Sequence, residues 1–147
     1  AMEDRALEED GKIDEALASG PIITVHKTAS CGCCSAWVDH LRREDFQVEV
    51  INHASLDEVK AQMGVPRHLH SCHTGEVNGL FVEGHVPADD IREMISLARE
   101  DQSIQGVAVP GMPMGSPGME AGGQVQPYDV IMVAGEEESV LNSHGTR

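Results

Sequence analysis

The chain has 147 residues, which at about 100–200 residues per domain predicts one domain. Ten Lys plus Arg against 25 Asp plus Glu give a formal charge of −15, which argues against nucleic acid and against an anionic membrane surface. One Trp, one Tyr and two Phe are too few for base-stacking platforms, whereas 4 Cys, 8 His and 7 Met supply the soft ligand types of copper and zinc.

Residues 1–20 are acidic, with Leu7, Ile13 and Leu17 at rough helical spacing, and read as an N-terminal helix or tail. The domain proper is expected over 21–147. Ala1-Met2 reads as an expression scar, so a removed leader is part of the expectation. Pro21 opens Ile22-Ile23-Thr24-Val25, a short apolar run of buried-strand type. Cys34, Trp37, Val38 and Leu41 fall at i, i+3, i+4 and i+7, one face of an amphipathic helix. Gln47 to Ile51 alternates as a second strand. Ser55-Leu56-Asp57-Glu58 reads as a capping box opening a helix that Gly64 and Pro66 stop. Leu80-Phe81-Val82 predicts a third strand, turning at Gly84 into a fourth at His85-Val86. A third helix runs from Pro87 to Leu97 with Ile91, Met94, Ile95 and Ala98 buried. Residues 100–128 lack clear periodicity, and a segment that long is usually functional or disordered. Val130–Val133 and Val140-Leu141 predict a terminal hairpin. The order β-α-β-α-β-β-α is that of a thioredoxin-like α/β domain, here with a long Gly/Pro/Met loop and a C-terminal hairpin.

Cys31 and Cys34 form a CxxC at a helix N-terminus, where the dipole and free N–H groups stabilise thiolate. Cys33 adds a third thiol for which a simple dithiol redox site has no use. Cys72-His73 stands on the loop that packs against the CxxC turn in a thioredoxin-like fold, where redox members place a cis-proline; Pro66 is too far upstream for that role. Two structural disulfides, a structural zinc site and plain dithiol redox chemistry are the alternatives. Soft-metal binding, meaning Cu(I), is favoured over them. The CGCC-plus-Cys-His spacing does not match paired zinc knuckles, and a chain this long does not need staples.

His73, beside Cys72, is a ligand candidate, and His85, at the Gly84 turn, is a second. His26 ends the first strand near the cysteines but reads better as solvated. His68-Leu69-His70 are either capture ligands for Cu(II) or plain loop residues. His40 reads as surface, and His53 and His144 offer nothing specific. The segment 106–120 is stiffened by proline and carries Met112, Met114 and Met119. Thioether binds Cu(I) without a protonation step, so one or two methionines, Met112 and Met119 the candidates, are expected beside the cysteines.

With TASCGCC at 28–34, SCHT at 71–74, EGHVPADDI at 83–91 and VAVPGMPMGSPGME at 107–120, the chain resembles the CopG-type periplasmic copper-resistance family, formerly a domain-of-unknown-function family. That family is distinct from the DNA-binding repressor of the same name. The resemblance spans about Ile22 to Val133. It implies a thioredoxin-like fold, a periplasmic location and copper, Cu(I) or Cu(II), as the ligand. It carries over Cys31, Cys33, Cys34 and Cys72 as ligands, with His73, His85 and the methionine loop as neighbours. Several ions per chain are expected, since thiolates bridge and four exceed the needs of one Cu(I). Periplasmic copper-efflux or electron-transfer proteins are the expected partners. A thiol–disulfide oxidoreductase built on Cys31 and Cys34, or a metallochaperone, is the alternative. His68, His70 and the acidic N-terminal segment lie outside the family pattern.

Overall fold

A computed structural model describes residues 20–120 and 122–145. The predicted acidic helix or tail lies, apart from Gly20, outside the described residues. The elements follow as β1 (Ile22–Lys27), α1 (Gly32–Arg43), β2 (Gln47–Asn52), α2 (Asp57–Met63), a 3-10 turn (Arg67–Leu69), β3 (Thr74–Val77), β4 (Leu80–Glu83), α3 (Ala88–Ala98), β5 (Ile104–Ala108), β6 (Tyr128–Ala134) and β7 (Glu137–His144). The strands form one mixed sheet in the order β2-β1-β3-β4-β5-β6-β7. β1 runs parallel to β2 and β4 parallel to β5, and the other neighbours are antiparallel.

Strand alternation divides the sheet into two faces. Ile23, Val25, Val77, Val82 and Val107 meet Trp37, Val38 and Leu41 of α1 and Ile91, Met94 and Ile95 of α3 in the main core. The predicted helical stripe Cys34, Trp37, Val38 and Leu41 is the buried face of α1. On the opposite face Phe81, Ala108 and Val133 pack with Val65 and Leu69, around the end of α2.

Three expectations are corrected. The central hairpin lies earlier in the chain: Thr74–Val77 pairs with Leu80–Glu83 around Asn78-Gly79, both in the left-handed region, and His85-Val86 is not a strand. Positive φ at both central residues suits the right-handed strand twist, so Asn-Gly makes the turn. β5 occupies part of the stretch read as loop; a Cβ on Gly106 would lie 2.4 Å from the Phe81 ring, so glycine interrupts the apolar run there. The capping box does not form. Leu56 is the N-cap without a side-chain bond, and Ser55 Oγ instead accepts from Asp57 N at 3.3 Å. Gly64 does end α2, at φ 78°.

Candidate metal centre

Cys31 is the N-cap of α1, and its Sγ accepts from Cys34 N at 3.3 Å. This places the CGCC sulfurs at the positive end of a 12-residue helix. Cys31 and Cys34 are joined as a disulfide, and Cys33 Sγ lies 3.6 Å from Cys31 Sγ. Cys72 comes in from the loop before β3, and the four Sγ atoms all lie within 4.8 Å of one another. Cys72, His73 and His85 form an overlapping group of the same span.

Both histidines are oriented by their second ring nitrogen. His73 Nε2 donates to Gly84 O at 2.8 Å, leaving Nδ1 to face Cys72 Sγ and Cys34 Sγ, each at 3.3 Å. His85 Nδ1 donates to Pro117 O at 2.7 Å, leaving Nε2 3.2 Å from Cys72 Sγ. A carbonyl only accepts, so each proton sits on the nitrogen away from the sulfurs and each lone pair points in. His73 is also stacked on Trp37, ring centroids 4.2 Å apart, and Trp37 Nε1 is anchored on Val86 O at 2.8 Å.

Burial pushes the His73 pKa down to about 3, helped by the neighbouring His85, Lys60 and Lys27. Burial lowers His85 as well. Both rings are therefore neutral near pH 7, the form that ligates metal. Burial raises the Cys72 thiol to about 11, with Cys33 adding to the effect, so a metal bound there displaces a proton.

The Cys72 loop is held from beneath. Glu83, fully buried on β4, accepts from Ser71 N at 2.7 Å and Thr74 Oγ1 at 2.6 Å, the residues on either side of Cys72-His73. Lys60 of α2, also buried, pairs with Glu83 and donates to Thr74 Oγ1 at 2.9 Å. Sequence reading missed this pair; the only signal was a glutamate at a strand end and a lysine on a short helix.

The Gly/Pro/Met segment forms the roof. Ser71 Oγ donates to Gly111 O at 2.6 Å. Gly118, at φ 92°, lies so close that a Cβ would sit 2.9 Å from both Cys33 O and His85 Nδ1. Met112 is half exposed with its Sδ 3.8 Å from Cys33 Sγ, and it also lines an open cleft of about 440 Å³ with Pro110, Gln126 and Tyr128. Met119 is half-buried and its backbone closes turns with Ser116 and Gly115; among the described residues the thioether hydrogen-bonded to a cysteine is that of Met112.

The other histidines lie elsewhere. His68 meets Glu138 at 2.7 Å, and His70 Nε2 donates to Val65 O at 3.2 Å. His144 pairs with buried Asp90 at 2.7 Å. His40, expected at the surface, is half-buried and accepts from Ala88 N at 3.1 Å, because Pro87 offers α3 no side-chain cap. His26 and His53, read as solvated and unremarkable, contact each other.

The family model described as "Protein of unknown function, DUF411" matches residues 69–119, which include Cys72, His73, His85 and the Met112 loop. No curated protein matches the chain. Two solved structures match, titled "Copper resistance protein copG- Form 2" and "Copper resistance protein copG- Form 1". They align with TM-scores of 0.80 and 0.78, each at 44% identity over 86% of this chain and 100% of the other. With the sequence motifs, the sheet and the cysteine cluster agreeing with that likeness, the chain belongs to the CopG copper-resistance family.

Proposed function

We propose that this is a periplasmic copper-binding protein of copper resistance, holding Cu(I) in a multinuclear thiolate site. The observation that carries the reading is four cysteine sulfurs within 4.8 Å of one another, flanked by two imidazoles whose lone pairs face Cys72. Soft thiolate and imidazole donors fit Cu(I). Cu(I) takes two or three ligands and thiolates bridge, so the cluster accommodates more than one ion. The sheet order β2-β1-β3-β4, with α1 and α3 packed on one face and α2 on the other, supports a thioredoxin-like domain over 21–147. Cys31 and Cys34 must be reduced to ligate. As a dithiol they can also deliver one electron each to two Cu(II), giving two Cu(I), the disulfide and two protons. That route connects the site to interconversion of the two oxidation states. Copper then passes to or from an efflux or electron-transfer partner by ligand exchange at the exposed Met112–Cys33 side.

Anaerobic Cu(I) titration read by native mass spectrometry tests the site. More than one copper per chain is expected, and saturation at a single ion overturns the multinuclear reading. The Cys31–Cys34 disulfide favours one other reading, a thiol–disulfide oxidoreductase with Cys31 as nucleophile. Cys33→Ser separates the two: it lowers the copper count under the first and leaves dithiol exchange intact under the second.

A further inference from the structure

The sheet face that carries α2 holds a second pair of metal-type ligands. His26 is the next-to-last residue of β1, and His53 directly follows β2, with its N–H continuing the ladder to Lys27 O at 2.8 Å. His26 stands opposite Ile51, so His53, two residues on, projects from the same face. His26 Nδ1 and His53 Nε2 come within 2.9 Å, the rings tilted by 43°. Glu49 and Glu76 both stand opposite Thr24 in the adjacent row of this face, and both are exposed.

We propose that His26 and His53 form a two-imidazole metal site for a borderline divalent cation of the Zn(II) or Cu(II) class, with Glu49 and Glu76 in the adjacent row of the face and water completing the coordination. Two imidazole nitrogens bound at about 2.0–2.1 Å in tetrahedral geometry lie about 3.3 Å apart. The observed pair is a few tenths of an ångström closer, so a small rotation of partly exposed rings admits an ion in place of the shared proton. Burial and the neighbouring His53 lower the His26 pKa, outweighing the opposite pull of Glu76, which favours the neutral ring that ligates. The carboxylates of Glu49 and Glu76 give the face the charge a divalent ion needs. Imidazole and carboxylate suit borderline cations, whereas the thiolate cluster selects soft ones.

The test is a Zn(II) titration of the full chain, zinc being redox-silent toward thiols and Cu(I). The cysteines are first filled with Cu(I) anaerobically and excess copper is removed. Calorimetry is then expected to show one further zinc equivalent, and residue-resolved ¹⁵N NMR to shift the His26 and His53 ring nitrogens. His26→Gln and His53→Gln each lose that equivalent, while His68→Gln keeps it. The same titration on the copper-free chain, read only at the His26 and His53 resonances, does not depend on whether the cysteines take copper. Ring resonances of wild-type protein that stay unmoved in zinc, or an extra equivalent that survives both glutamine variants, overturn the site and leave the pair a hydrogen bond between strand ends.

Discussion

The buried Lys60–Glu83 pair allows a sharp prediction about what positions Cys72. Glu83 Oε2 receives both Lys60 Nζ and Ser71 N, and Oε1 receives Thr74 Oγ1. Glu83→Gln keeps the volume but replaces one oxygen by a donor. An amide nitrogen on the Lys60 side opposes an ammonium and an N–H. On the Thr74 side it turns the hydroxyl into an acceptor already used by Lys60. Either way the Lys60 charge stays in the interior without its carboxylate. Removing one partner of a buried pair costs about 3–5 kcal/mol, a large part of the about 5–15 kcal/mol a domain has. At about 2–4 °C per kcal/mol for a chain near this size, Tm falls by about 6–20 °C. Lys60→Met with Glu83→Leu removes both charges and recovers most of that loss, because burial of a pair is itself expensive.

The second consequence is at the site. With Ser71 and Thr74 released, Cys72-His73 loses the bracket that aims it at Cys34. Glu83→Gln therefore weakens Cu(I) binding, measured by competition with a chelator at a temperature where the variant is folded. The double variant regains stability without regaining affinity, since it restores neither Ser71 nor Thr74 contacts. Thermal unfolding within about 2 °C of wild type for Glu83→Gln, or wild-type copper affinity in the double variant, refutes the positioning role.

Gly118→Ala is expected to be far more damaging than Gly111→Ala, although both glycines have positive φ, because only Gly118 has Cys33 O and His85 Nδ1 within 2.9 Å of the added Cβ. Gly111→Ala costs about 1–2 kcal/mol of backbone strain and keeps copper, whereas Gly118→Ala also loses affinity; equal effects in denaturant and chelator titrations refute the roof contact. For His73 the folded pKa is about 3 against 6.5 unfolded, so between those values the unfolded chain binds the extra proton and stability rises with pH. Copper-free protein is expected to lose on the order of a few kcal/mol from this group as pH falls from 6.5 toward 3, and His73→Gln to show a shallower slope; parallel slopes in urea titrations contradict it. Met112→Leu, at a half-exposed position, leaves stability within about 0.5 kcal/mol but weakens Cu(I) binding, and unchanged chelator competition rules out the thioether as a ligand.

The helices were legible because their signal is periodic. Cys34, Trp37, Val38 and Leu41 name one face of α1 without any tertiary information, and the structure buries that face. The central hairpin was misplaced although its signal was present. Asn78-Gly79 is a strong turn dipeptide, whereas the expected turn stands at Gly84. Gly84 also has positive φ, at 81°, but it is there for close approach: a Cβ would meet Val109 O at 2.4 Å. β5 hid because Gly106 answers to Phe81, a contact between strands far apart in sequence. At the site, residue types exposed the sulfurs and imidazoles, whereas orientation came from carbonyls of Gly84 and Pro117 that every residue has and no sequence advertises. The buried Lys60–Glu83 pair was illegible for a related reason, since charged residues usually mark surface.

One row across the sheet relates the two proposed sites. His26, Thr74 and Glu83 are successive partners on β1, β3 and β4, so all three point to the α2 face. His73 precedes Thr74 and points the other way, onto Trp37 in the main core. The strand alternation that puts His26, Thr74 and Glu83 on one face thus turns His73 of the thiolate centre to the other, where α1 brings the CGCC sulfurs. The two ligand sets share no residue and differ in chemical softness. A soft ion among the cysteines and a borderline ion at His26–His53 therefore would not compete for donors, and substitutions at one site should leave occupancy of the other unchanged.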